Sequence, residues 1–230
     1  MPDQFSAWQL ILTGDPTLLA IVRLSLAVSL SAVALAALAG MPLGALLALT
    51  RFAGRSALVV LLNALMGLPP VVVGLAVYLL LSRSGPLGAM GILFTPTAMV
   101  IAQTILIVPI IAALTRQTVE DLWVEYRDEL SAMDVSPAGR MTTLLWDARF
   151  SLLTALLAGF GRAAAEVGAV MIVGGNIDGF TRVMTTTVAL ETSKGNLPLA
   201  MGLGLILVVI VLAINAAAWG TRVWSERQAG

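Results

Sequence analysis

The chain has 230 residues, 59% of them hydrophobic and 11% charged, with 13 basic side chains against 13 acidic ones. So little polar surface cannot wrap a water-soluble domain of this size, and a mean hydropathy of +0.96 makes it an integral membrane protein. With no cysteine and no histidine, disulfides, thiolate metal ligands and the usual general base are excluded, and the balanced charge argues against nucleic acid as a partner.

Residues 1 to about 20 carry Asp3 and Asp15 but no Lys or Arg. They lack the positive start of a signal peptide and read as a short ordered or interfacial arm that is kept. A first span is expected over about 24–49, its Ala- and Ser-rich surface ending in Gly40 and Gly44, where a neighbouring helix can come close. A second is expected over about 58–81, with Gly67-Leu68-Pro69-Pro70 near its middle. Tandem proline removes two backbone donors and disfavours helix at the residue before it, so this span must kink or break. Freed carbonyls at membrane depth survive only where protein or a water-filled cavity receives them. Gly67 to Val71, with Gly67, Pro69 and Pro70 in it, is therefore either a pore-lining, gating segment or a kink that serves packing. After a Gly- and Pro-rich turn at 83–94, a third span over about 95–114 contains Gln103 and Pro109, and Gln103 is expected to bond a neighbouring helix.

The stretch 116–149 holds seven of the thirteen carboxylates: Glu120, Asp121, Glu125, Asp128, Glu129, Asp134 and Asp147. Each charge at a bilayer centre costs roughly 2.5 to 3.5 kcal/mol on insertion scales, so this stretch stands in water. Val119, Leu122, Tyr126, Leu130 and Met133 line one face of a helix. Asp134 to Pro137 then break it and start another, with Ser136 as N-cap and Pro137 at the first helical position. Ala138, Met141 and Leu145 give the second helix its own apolar stripe. The expectation is two short amphipathic helices joined by a tight turn, which either present a grip to a partner protein or fold back on the chain's own spans.

A fourth span over about 150–173 carries Arg162 and Glu166, four residues apart and so expected on one helical face. They are either a structural pair or a source of positive potential for a crossing anion, with Glu166 bonding the loop beyond. In the polar segment 174–198, amides near Gly174, Gly175 and Asn176 and hydroxyls of Thr185, Thr186 and Thr187 are placed either to guide a hydrated oxyanion or to cap the bundle. A last span over about 199–219 ends at the belt residue Trp219, followed by Arg222, Trp224 and Arg227. With the N-terminus outside, the cytoplasm receives Arg51, Arg55, Arg116, Arg127, Arg140, Arg149, Arg222 and Arg227. The outside receives Arg23, Arg83, Arg182 and Lys194, the asymmetry that the positive-inside rule requires.

The run DELSAMDVS at 128–136, followed by LWDARFSLLTALLAGFGRAAAEVGAV, resembles the cytoplasmic EAA-type loop and following span of type I ABC-importer permeases. Asp128 stands at the motif's first position, Glu129 and Leu130 replace its two alanines, Asp134 replaces its glycine, and Asp147 falls where its proline is expected. Val135-Ser136 and the Arg162, Glu166, Gly168 arrangement agree with the family, and the resemblance covers roughly residues 20–220. GRAAAEVGAVMIVGGNI and MTTTVALETSKGNL look most like the tungstate-type permeases, relatives of the molybdate and sulfate ones.

This resemblance implies an all-α membrane protein of about five spans, a single permease domain over 1–230 in a prokaryotic cytoplasmic membrane. Its coupling loop at 116–149 would meet an ATPase through Glu125, Asp128, Glu129, Leu130, Ser131, Ala132, Met133, Asp134, Ser136 and Arg140. The partners implied are two copies of an ATP-binding subunit carrying ATP and Mg, an extracytoplasmic substrate-binding protein, a second copy of this chain and membrane lipid. The chain has no Gly-x-x-x-x-Gly-Lys-Ser/Thr run to hold ATP by a P-loop, so the expectation is a transport subunit with no cofactor of its own. A stand-alone secondary transporter would need inverted repeats and paired broken helices, whereas the sequence reads as one broken span without a repeat. An intramembrane enzyme would have only Glu166 and isolated hydroxyls to work with.

Overall fold

The computed structural model describes residues 16–229, with side chains through Gly220. The arm before residue 16 and the side chains of Arg222, Trp224 and Arg227 lie outside the described residues. Among those described, nine helices and a 3-10 turn at Gly88–Met90 occur with no strand. The helices are α1 (Pro16–Leu49), α2 (Arg55–Met66), α3 (Pro70–Leu81), α4 (Pro96–Ala132), α5 (Pro137–Asp147), α6 (Arg149–Ala164), α7 (Gly168–Gly174), α8 (Met184–Ser193) and α9 (Leu197–Ala229).

Three of these, α1, α4 and α9 through Gly220, are long and apolar enough to cross a membrane; two bent pairs raise the possible spans to five. The bent pairs are α2 with α3, turned by 100°, and α5 with α6, turned by 74°. The expected break in the second span is present: α2 ends at Met66, Pro69 is extended, and Pro70 opens α3 at the position its fixed φ suits. Each half is 12 residues, about 18 Å, well short of the roughly 30 Å of hydrocarbon that a straight span covers.

Two expectations are corrected. Residues 119–132 are not a separate short helix but the continuation of the third span, because α4 runs unbroken for 37 residues. No Gly or Pro lies between Pro109 and Ala132 to stop it. At 1.5 Å per residue α4 is about 55 Å long, so roughly 25 Å of it projects beyond the hydrocarbon. The fourth span is not continuous over 150–173: α6 stops at Ala164 and α7 begins at Gly168. Glu166 therefore lies just past the end of the helix that carries Arg162. The Glu166 carboxylate turns forward and accepts from the Ala169 amide at 2.9 Å, capping α7.

Packing divides the chain into two compact units. One comprises Ala32–Leu68 and Thr104–Arg162, the other Pro69–Gln103 with the start of α1 and everything from Ala163 on. In the first, Ala45, Val119, Leu130 and Leu144 are buried together, with Trp123, Tyr126, Met141 and Leu145 packed around them. Gly44 brings α1 backbone onto α4 there, since a Cβ at that position would lie 2.4 Å from the Ala112 carbonyl oxygen. In the second unit the tightest crossing is α3 on α7, where a Cβ at Gly74 would lie 2.7 Å from the Ala169 Cα.

Candidate functional site

The projecting end of α4 ends in a turn built by main-chain bonds. The Val135 amide donates to the Leu130 carbonyl at 3.1 Å and the Asp134 amide to that of Ser131 at 3.2 Å, while Asp134 takes φ +50°. This is the backbone state that glycine occupies most cheaply, at the position where the EAA pattern has its glycine. The expected cap follows: Ser136 Oγ accepts from the Gly139 amide at 3.2 Å, with Pro137 in the first turn of α5. Arg140 staples the turn, its Nε donating to the Val135 carbonyl at 2.8 Å and its guanidinium lying 5.6 Å from the Trp123 ring centroid.

Most of the two apolar stripes folds inward, Met133 excepted. Val119, Leu130 and Leu144 are buried and Leu122, Tyr126, Met141 and Leu145 pack against them, whereas Ala138 is exposed. Leu130 thus belongs to the core beneath the turn. What remains outside is the tip: Glu125, Asp128, Glu129, Ser131, Ala132, Met133, Asp134 and Ser136 are all exposed. Among the described residues Asp128 pairs with its neighbour Arg127, at 3.4 Å and nearly fully exposed, a pair of little energetic weight. Glu125, Glu129 and Asp134 enter no ion pair among the described residues. Beside the tip, a cleft of about 370 Å³ is lined by Leu46, Leu49, Thr50, Trp123, Pro137, Ala138, Arg140 and Met141. The arrangement offers an acidic protrusion with the exposed apolar side chains Val124 and Met133 beside its carboxylates.

A second group of residues lies at two helix breaks; Pro69, Pro70, Glu166 and Gly168 belong to the other unit, Gly67 and Arg162 to the first. Gly67 and Pro69 are exposed and Pro70 half-buried. Just beyond Pro70, Val71 faces Gly168, where a Cβ would lie 2.9 Å from Val71 Cγ2 and 3.7 Å from Glu166 Oε1. The structure thus brings the Pro70 end of α3 beside the Glu166 end of α7, two interruptions where the sequence pattern signalled one. Glu166 is 3% exposed, and its main-chain oxygen accepts from Thr185 Oγ1, in the first turn of α8, at 2.8 Å. Arg162 lies in the last turn of α6, where a cation complements the helix dipole. Gln103 is buried and bonds a neighbouring helix as expected, its Nε2 donating to the Ala163 carbonyl at 3.1 Å.

In the polar segment the hydroxyls are spent internally. Thr186 is fully buried, accepting from the Val183 amide at 3.1 Å and donating to its carbonyl at 3.0 Å, so it caps α8. Thr185 is taken by Glu166 as described, and Asn176 sits at φ +50° with a buried side-chain oxygen. Arg182 pairs with Asp178 at 2.9 Å. Glu191 accepts from Lys194 at 2.8 Å and Asn196 at 3.0 Å. These bonds, the Lys194 one foremost, hold its carboxyl below the usual range against the opposing effect of burial. Residues that the sequence did not single out also matter: Ser25 Oγ in α1 caps α8 by accepting from the Met184 amide at 2.8 Å, and Arg55 pairs with Glu120. These partners lie 159 and 65 positions apart, beyond the reach of any local pattern.

Among the described residues the chain is all helical, with interrupted helices and a long helix that ends in an acidic turn, the make-up of a multi-pass membrane protein. No family model matches the chain. It is 42% identical over 204 residues to the probable anion ABC transporter permease protein of Haloferax volcanii, which covers 86% of this chain and 88% of that one. Against the tungstate uptake system permease protein TupB of Peptoclostridium acidaminophilum it is 39% identical over 214 residues, 93% of this chain and 94% of that one. The TupB protein of Campylobacter jejuni is 40% identical over 147 residues, 64% of this chain and 62% of that one. The chain belongs to the family of ABC-transporter permeases for anions.

Proposed function

We propose that this chain is the membrane-spanning subunit of an ATP-driven importer that carries tungstate, a tetrahedral oxyanion, into the cytoplasm. The observation that carries the coupling half of this reading is α4: one continuous helix from the membrane to an exposed acidic turn leaves no joint in which an applied displacement could be lost. The anion rests on likeness over nearly the full length to proteins named for tungstate uptake. Two ATP-binding subunits, holding ATP and Mg, would grip the tips at Glu125, Asp128, Glu129, Ser131, Ala132, Met133, Asp134 and Ser136. Two copies of the chain would enclose the path on a two-fold axis, an isologous arrangement that fits a protomer too small to form a pore alone. An extracytoplasmic binding protein would deliver the anion to the 174–198 face, with the N-terminus outside and the C-terminus in the cytoplasm. The paired breaks at Gly67–Pro70 and Glu166–Gly168 form the gate, since interrupted helices are where a transmembrane bundle changes conformation at least cost.

The test is reconstitution of the chain with its ATP-binding subunit and binding protein in liposomes, following tungsten uptake with molybdate and sulfate as competitors. ATP-dependent accumulation of tungstate ahead of both is expected. Accumulation without the ATP-binding subunit, or preference for sulfate or molybdate, overturns the coupling or the anion respectively.

A further inference from the structure

At the root of the projecting part of α4, one carboxylate serves three helices. Glu120 accepts from Arg55 Nη2 through one oxygen and from Arg116 Nη1 through the other. Arg55 is the first residue of α2, entered through Gly54 at φ +93°. Its Nε donates to the Leu47 carbonyl at 2.7 Å, in the last turn of α1, where carbonyls lack helical partners. The three side chains are only 19% to 31% exposed, so this is a partly buried network and not a surface pair of the kind that contributes little. At the same level Gly44 presses α1 onto α4, a Cβ there falling 2.9 Å from the Arg116 amide nitrogen. The neighbouring Val119 is completely buried.

Glu120 lies twelve positions, about 18 Å of helix, before the end of α4 at Ala132. Arg55 lies at the far end of α2 from the Gly67–Pro69 break, again about 18 Å away. Without the Glu120 charge, Arg55 and Arg116 would be two cations held together by nothing. We infer that Glu120 is a positioning residue for transport: it ties the lever that carries the coupling tip to the root of the helix leading to the break. A displacement of the tip then moves α2 as one piece with α4. The inference rests on the coupling role proposed for the tip.

The experiment compares wild type, Glu120→Gln, Arg55→Gln and the double variant as assembled transporters in liposomes. It measures tungstate taken up per ATP hydrolysed alongside thermal unfolding and yield of the intact complex. Glu120→Gln is expected to lower the uptake-to-hydrolysis ratio on the order of tenfold, the scale of coupling between distant sites, while the complex still assembles. The double variant should be no worse than either single one, since each removes the same link. A wild-type ratio in Glu120→Gln overturns the inference, as does a ratio that falls only in step with loss of intact complex, the mark of a merely structural role. Absence of ATP-driven uptake by the wild type would instead sink the proposed function, and this link with it.

Discussion

Asp134 occupies a backbone state that costs a residue with a Cβ on the order of 1 kcal/mol, less for Asp than for most because its short side chain bonds locally. The turn tolerates it because two main-chain bonds and the Arg140 staple hold the neighbouring residues. Asp134→Gly should therefore leave the transporter as stable or up to about 1 kcal/mol more stable, and Asp134→Val should cost about 1–2 kcal/mol. Thermal unfolding of the detergent-solubilised chain reads both. Glu191 supplies a pH signature. Its carboxyl is held below the ordinary 4.5 by Lys194 and Asn196, so the unfolded chain binds its proton first as pH falls. The stability it contributes is complete above about pH 4.5 and is lost as the medium acidifies through the lower folded value. Glu191→Gln should flatten that part of the stability profile while lowering stability at neutral pH, measurable by unfolding between pH 3 and 7.

At the scale of elements, α1 and α4 are joined by absence of side chain as much as by presence. A methyl at Gly44 would meet main-chain oxygen at 2.4 Å, and backbone cannot step aside as a side-chain end can. Gly44→Ala should cost about 1–3 kcal/mol, the range for overpacking, and should loosen the Arg55–Glu120 link that sits beside it. Cysteine cross-linking between α1 and α4 in the variant would report that separation directly. The lever itself owes its length to what its sequence lacks: from Thr115 through Ala132 no residue breaks helix, so the span simply continues into water. Its interior Pro109 does not break α4 either, because neighbouring packing in a bundle can absorb one lost hydrogen bond.

At the scale of the whole molecule, the division of labour is between a buried stripe and an exposed tip. The stripe, Val119 to Leu144, fastens the end of α4 to the rest of its own unit, and the acids, Met133 and the small residues of the tip stay exposed. Charge reversal at the tip, Asp128→Lys with Glu129→Lys, should leave membrane insertion unchanged and abolish stimulation of ATP hydrolysis by substrate-loaded binding protein. That is checked by the ATPase rate with and without binding protein, and normal stimulation would remove the tip from the coupling role. The core residue Leu130, changed to Ala, should act differently, costing about 2–5 kcal/mol of stability.

Several features were legible from residue order alone because they are local. Composition made the chain a membrane protein, the double proline made a broken second span, and Ser136-Pro137 marked a helix start. The last two rest on backbone chemistry within four residues, and the first on a sum over the whole chain. Which side of an amphipathic helix meets a partner was not legible, since a stripe of the same spacing serves an internal core or an external one. Nor was the second break, where Glu166 turns its carboxylate to an amide three residues on and the helix gives way without a proline. The joining of Arg55 to Glu120 and of Ser25 to Met184 waited on tertiary structure for the same reason. Contacts between residues 65 and 159 positions apart are made by how helices pack, and no periodicity along the chain encodes them.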